Sequence, residues 1–227
     1  MILYIDTTFD NTILAVKKND KIFENSIDNN SNISQALINE TKKLFKKANL
    51  EKKDITAIGV NNGPGNFTSL RVALAYIKAI SYYLNVPVIP INSFQAAALS
   101  QDEVKSDSKI IVAIDARMNE IYWTIYADHS HIYSNNPKCN LNSELEMIEN
   151  IKNFNLKKFT LIKNSNILEK SNFNKLFPNV KIIDNYKINL KKIFYFIEKN
   201  LNKNLIKNYN SIKLLYVRDN VAKKKYE

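Results

Sequence analysis

Only three of the 227 residues are glycine, and Gly59, Gly63 and Gly65 all fall within seven positions. An average globular composition would place about sixteen in a chain this long. So little glycine leaves almost no freedom for tight turns, phosphate-cradling loops or close backbone approach. The one segment that keeps it must need positive φ or close approach there. Around it the sequence reads strand, turn, helix: ITAIGV at 55–60, then Asn62-Gly63-Pro64-Gly65, then a long helix from Phe67 to Leu84. A glycine-rich turn at that place suits an anion, because free N–H groups point outward. It suits a rigid turn that docks the helix equally well. No Lys-Ser/Thr follows the second glycine, so it is not a Walker loop.

The rest of the composition excludes several classes. The mean hydropathy of −0.31 and the absence of an apolar run near the ~18–20 residues of a membrane span argue against a membrane protein. Met1 leads straight into the apolar ILYID without a basic flank, which predicts no secretory signal and a cytoplasmic location. A single cysteine, Cys139, rules out a disulfide framework and a thiolate metal cluster. Asn is abundant, with 34 residues, and only Arg71, Arg117 and Arg218 among 33 cations are arginines. This reads as drift toward Asn, Lys and Ile. Where Lys is the default, an Arg marks a place that needs a planar fork. The net charge of +11 is read the same way, as solubility and lysine-rich drift, since the lysines are scattered along the sequence apart from Lys223–Lys225.

Hydrophobic patterning predicts strands at 2–6, 12–17 and 21–26, a helix at 34–49 capped by Ser34, a strand at 55–60, the helix 67–84, a strand near 86–91 and a short helix at 94–100. The polar stretch 101–108 predicts a boundary, giving an N-terminal lobe at 1–103 and a C-terminal lobe at 104–227. A second set opens with strands 109–115 and 120–126. Helices are expected near 143–152 and 189–206, and strands near 159–163, 180–183 and 213–217. The halves echo each other: each opens with an apolar strand ending in Asp, at Asp6 and Asp115.

Asp6-Thr7-Thr8 closes the first strand on a hairpin where a carboxylate and hydroxyls can hold a metal–phosphate group. The turn lacks glycine, so it is read as satisfying its own backbone. Asp115-Ala116-Arg117 also lacks glycine, and none exists after Gly65, so a glycine-rich nucleotide loop is not expected in the second half. Arg117 is expected to pair with Glu120 as a structural unit. Arg71, early in its helix, opposes the dipole and is expected to seek a carboxylate. His129 and His131 sit in a polar turn without a third ligand. Helix 67–84 spreads its apolar residues over roughly 220° at 100° per residue, where one core-facing stripe needs little more than ~100°. The excess predicts a subunit interface, assigned to Leu70, Ala73, Tyr76, Ile77, Ile80 and Tyr83.

The segments ILYIDTT, NNGPGNFTSLRVALAYIKAIS, VAIDARMNEIYW and YVRDNVAKKK together resemble the bacterial tRNA threonylcarbamoyladenosine biosynthesis protein TsaB family. The resemblance is close over the first hundred residues and around 110–126, and loose from 128 to 212. It implies an α/β fold of two actin-like lobes, as in sugar kinases, heat-shock chaperones and actin, each lobe a mixed sheet with flanking helices. It further implies a non-catalytic subunit without a cofactor of its own, any nucleotide binding only within the complex. The implied role is to bind and activate a catalytic TsaD-like subunit that modifies the adenosine beside the anticodon. A TsaE-like ATPase, indirect contact with tRNA, and a homodimer as an alternative assembly are implied too. Two rival readings stand beside it: an ATP-dependent phosphotransferase of the actin-like class, and a peptidase acting on its partner.

Overall fold

The computed structural model describes residues 1–8, 11–28, 32–101, 108–133, 138–156, 158–164, 167–168, 173–201 and 209–217. The chain divides into two compact units. The first is Met1–Ser100 with Ile188–Leu215, and the second is Gln101–Lys187 with Tyr216–Glu227.

The first unit holds β1 (Ile2–Asp6), β2 (Asn11–Lys18), β3 (Lys21–Asp28), α1 (Ile33–Ala48), β4 (Ala57–Asn61), α2 (Phe67–Leu84), β5 (Val88–Ile91) and α3 (Ser93–Leu99). The second holds β6 (Lys109–Asp115), β7 (Glu120–Tyr126), β8 (Asn140–Ser143), α4 (Glu144–Asn153), β9 (Phe159–Lys163), α5 (Phe173–Leu176) and β10 (Lys181–Asp184). A last helix, α6 (Leu190–Leu201), returns to the first unit. The expected C-terminal lobe of 104–227 is therefore interrupted by 188–215.

Both sheets have one design. In the first the strand order is β3-β2-β1-β4-β5, and in the second β8-β7-β6-β9-β10. Each begins with an antiparallel meander, then adds two parallel strands through crossover helices. This repeated meander-plus-crossover unit is the actin-like fold, and it makes Asp6 and Asp115 equivalent ends of the first strand of each sheet.

The glycine shortage is met by asparagine. Six of the nine non-glycine residues with positive φ among the described residues are Asn: Asn19, Asn49, Asn85, Asn119, Asn155 and Asn185. Asn is the residue that tolerates αL best after Gly. Asn49 and Asn85 end α1 and α2 in that conformation, and Asn32 and Asn66 cap their starts by accepting the N–H groups of Gln35 and Ser69. The first cap is thus Asn32, and Ser34 lies inside the helix. The expected strand at 213–217 does not form; Leu215 makes a single link to Asn62 rather than a ladder. The short strand β8 (NLNS) and helix α5 were not expected, since Asn and Ser are poor strand formers.

One face of the first sheet packs against α1 and α2. Leu37, Leu44, Phe45, Ala73 and Ile77 meet Leu3, Ile5, Leu14, Val16, Ile58 and Val60. Fully burying a side chain of this size contributes roughly 1.5–3 kcal/mol. Tyr4 meets Phe194 of α6 edge-on, at 6.4 Å between centroids. The second core joins Ile111, Trp123, Met147, Ile151, Phe159 and Leu161.

Candidate functional site

The end of β1 carries a closed polar cluster. The Asp6 side chain is buried, and its Oδ1 accepts the Thr8 N–H at 3.0 Å and the Thr8 hydroxyl at 2.5 Å. Its Oδ2 accepts the Tyr4 hydroxyl at 3.0 Å and an Asn61 amide N–H at 2.9 Å. Both oxygens are taken by neutral protein donors. The described part of this hairpin therefore does not fit a metal–phosphate group, and no chemistry is derived through one. Among the described residues no three His, Cys, Asp or Glu side chains converge as a metal centre would need.

Asn61, the last residue of β4, extends the cluster. Its Oδ1 accepts the Gly63 N–H at 3.0 Å and the Ser93 hydroxyl at 3.1 Å. That hydroxyl also lies 2.6 Å from the Pro64 carbonyl. Gly63 has φ +98°, and a Cβ on Gly65 would lie 2.7 Å from both Cβ and the carbonyl oxygen of Thr8. The Asn66 N–H donates to that same carbonyl at 3.3 Å. Two N–H groups of the turn are thus directed inward, at Gly63 and Asn66. Of the two readings of the glycine-rich turn, the geometry supports a rigid dock that presses the start of α2 onto the β1–β2 hairpin.

At the equivalent place in the second unit, Asp115 Oδ1 accepts the Arg117 N–H at 2.7 Å, and the guanidinium lies 3.7 Å from Oδ2. Arg117, Met118 and Asn119 follow one another with φ of 62°, 56° and 60°. Glu120 closes the turn through its backbone, donating to the Arg117 carbonyl at 3.1 Å. Arg117 therefore has Asp115 as an ion-pair partner, with 78% of its side chain exposed. The Arg71 guanidinium carbon lies over the Phe67 ring, 3.8 Å from its centroid, an interaction its sequence position did not suggest. Arg218 lies outside the described residues. His131 pairs with Asp128 at 2.9 Å on the surface.

The six residues assigned to an interface separate into two groups. Leu70, Ala73 and Ile77 are buried in the core of their own unit, so they are corrected here to core positions. A wide apolar arc shows which residues are apolar, but not how much of it the sheet beneath already covers. Tyr76 and Ile80 are half-buried on the flank, and Tyr83 is 82% exposed. Tyr76 meets Thr41 of α1 through its hydroxyl, and its burial pushes the phenol above its ordinary range. Ile38, one helical turn before Thr41, is 40% exposed and was missed because α1 alone has a regular amphipathic pattern. Val72, Tyr76, Ile80 and Tyr83 with Ile38 thus form an apolar surface shared by α1 and α2.

The family model described as "TsaD: tRNA N6-adenosine threonylcarbamoyltransferase" matches residues 24–160. The chain is 27% identical over 216 residues to the tRNA threonylcarbamoyladenosine biosynthesis protein TsaB of Buchnera aphidicola subsp. Acyrthosiphon pisum, covering 89% of this chain and 96% of that one. Its likeness to the TsaB of Buchnera aphidicola subsp. Baizongia pistaciae is 30% over 152 residues, 62% of this chain and 67% of the other. Among solved structures, YeaZ from Pseudomonas aeruginosa superposes with a TM-score of 0.71 at 15% identity, over 95% of this chain and 98% of that one. A protein of the same organism described as similar to the peptidase YeaZ gives 0.73 at 15% identity, over 96% and 99%. These two share the fold. The chain belongs to the TsaB family, within the broader group that the threonylcarbamoyltransferase model describes.

Proposed function

We propose that this chain works in tRNA threonylcarbamoyladenosine biosynthesis as a non-catalytic subunit, binding a TsaD-type catalytic subunit through the α1–α2 surface and holding it in its active form. The observation that carries this reading is an apolar face of exposed Ile38 and Tyr83 with half-buried Val72, Tyr76 and Ile80, set beside a turn whose carboxylate is satisfied within the protein. Exposed aromatic and aliphatic side chains grouped on two packed helices are the makings of an interface core. A TsaD-type subunit built from the same repeated unit offers equivalent helices, so a four-helix contact follows from the shared fold. The same face accepts a second copy of this chain, and the two assemblies compete. The saturated Asp6 cluster speaks against a phosphotransferase that uses it. Copurification of a tagged catalytic subunit with wild-type chain, and with Ile80→Glu and Tyr83→Glu, tests the reading. The wild type should copurify and the variants should not, while their circular dichroism stays unchanged. Normal retention of both variants would place the contact elsewhere.

A further inference from the structure

Lysine is denser in one segment of the first unit than the reading of a scattered charge allowed. Residues 42–53 contain six lysines and one carboxylate, Glu51. Lys42, Lys43, Lys46 and Lys47 are exposed on α1, and Lys52 and Lys53 on the 3-10 turn that follows. Some are already engaged. Lys43 pairs with Glu40 at 2.6 Å, Lys53 pairs with Glu51 at 2.7 Å, and Lys47 donates to the Glu24 carbonyl at 3.3 Å. Lys42, Lys46 and Lys52 make no ion pair among the described residues. At 100° per residue, Gln35, Asn39, Lys42 and Lys46 fall within an arc of about 60°, a stripe roughly 16 Å long on the outer side of α1.

We propose that this stripe, with Lys52 beyond its end, is a phosphate-contact surface for RNA, and that the tRNA substrate touches this subunit directly. The proposal rests on the tRNA-modification reading above. The chemistry of the stripe separates RNA from an acidic protein. It presents ammonium and carboxamide groups with no apolar residue among them, the set that binds phosphate and sugar oxygens. Protein interfaces instead need a desolvated apolar centre and are depleted in lysine. Gln35, Asn39 and Lys42 of the stripe also line a groove between β3 and α1 that Asp28 and Glu40 line as well, so phosphate is held best toward Lys46 and Lys52, away from those carboxylates. The stripe lies one step around the helix from Ile38, so RNA held there runs along the rim of the proposed interface.

The test uses an unmodified tRNA transcript as probe, the full chain alone and in complex with its catalytic subunit, and fluorescence anisotropy from 50 to 200 mM salt. Each neutralised phosphate contributes about −0.7 to −0.9 to the slope of log K against log salt. Lys42→Glu/Lys46→Glu/Lys52→Glu should weaken binding at least ~10-fold near 100 mM salt and flatten the slope by about 2–3. The control is Lys152→Glu/Lys158→Glu/Lys175→Glu, at exposed positions of the second unit. It should shift binding by less than about threefold and leave the slope within about one unit. Copurification with the catalytic subunit should be unchanged in the α1 variant. Wild-type affinity and slope in that variant, equal losses in the two triple variants, or no tRNA binding by the wild type would each overturn the proposal. Loss of the catalytic subunit with RNA binding intact would assign the stripe to an acidic protein surface and overturn it too. Failure of the wild type to copurify refutes the subunit reading alone, because RNA binding by the isolated chain is read independently.

Discussion

The side-chain amide of Asn61 joins the Asp6 carboxylate, 2.9 Å away, to the backbone of Gly63, 3.0 Å from its other end. One neutral side chain thereby ties β1, β4 and the start of the Asn62–Gly65 turn, and through that turn sets where α2 begins. Its neutrality is essential. A carboxylate at 61 would face Asp6 in a buried place where two anions cannot both ionise. One of the pair would hold a proton, with a folded pKa raised above its unfolded value. A raised pKa means that stability is retained below the unfolded value and lost as pH rises through the folded one. Asn61→Asp should therefore melt close to the wild type near pH 4 and fall progressively further below it toward pH 8, by about 2–4 kcal/mol at the upper end. A pH-independent gap in thermal melts would contradict this.

Glycine at 65 is demanded by backbone, and glycine at 59 by a side chain. A methyl at 65 meets Thr8 Cα at 2.8 Å and its carbonyl at 2.7 Å, whereas a methyl at 59 meets Ile197 Cδ1, the end of a side chain that can turn. Gly65→Ala should cost about 2–3 kcal/mol and Gly59→Ala less, with Ile197→Val rescuing only the latter. Equal costs in urea titrations would show that the Thr8 contact yields as readily as a rotamer.

The turn after β6 is built from L-residues in a left-handed conformation, at about 1–2 kcal/mol each. Met118 is 73% exposed, so its side chain does little to offset that. Met118→Gly should raise the melting temperature by a few degrees even after the larger entropy of a glycine in the unfolded chain, worth roughly 0.5–1 kcal/mol. Arg117→Lys should change stability by less than about 1 kcal/mol, since its pair with Asp115 is long and largely exposed. A lower melting point for Met118→Gly would show that the methionine side chain holds the turn.

Burial pushes the Cys139 thiol up to about 11. At pH 7.5 its thiolate fraction is then about two orders of magnitude below that of a free cysteine, and alkylation is slow in proportion. Iodoacetamide labelling followed by mass spectrometry should show this slow rate, rising about tenfold per pH unit without levelling off by pH 10, and increasing sharply on denaturation. Labelling at the rate of a free thiol in the folded protein would refute it.

Much of the fold is legible in the residues themselves. The boundaries of α2 at Phe67 and Leu84 follow from Asn66 and Asn85, which act as cap and left-handed stop. The echo of Asp6 in Asp115 matches two sheets of identical strand order. Other features depend on tertiary context. In the run Asn29-Asn30-Ser31-Asn32 several side chains suit a cap, and only the packing of Ile33 and Leu37 selects Asn32 for α1. Residues 213–217 are strand-like in composition, yet they make only the single backbone link from Leu215 to Asn62 beyond the end of β4. In the site, Gly63 and Gly65 stood out because glycine is rare. Asn61 did not, being one of 34 asparagines. The division of the α2 arc between core and surface needed the position of α1, which no helical wheel of α2 contains.

The central claim is that the exposed flank of α2, with Ile38, binds the catalytic subunit while the stripe beneath holds the fold. Titration calorimetry of the chain into a TsaD-type subunit, paired with thermal melts, separates the two directly. Tyr83→Glu and Ile80→Glu should weaken binding by about 100-fold or more, from an unpaired charge desolvated on assembly, with a melting temperature near the wild type for Tyr83→Glu and modestly lowered for half-buried Ile80→Glu. Ala73→Glu, at a position 1% exposed, should instead lower the melting temperature sharply. If both flank variants bind within threefold of the wild type, the α1–α2 surface is not the site of assembly and the account fails.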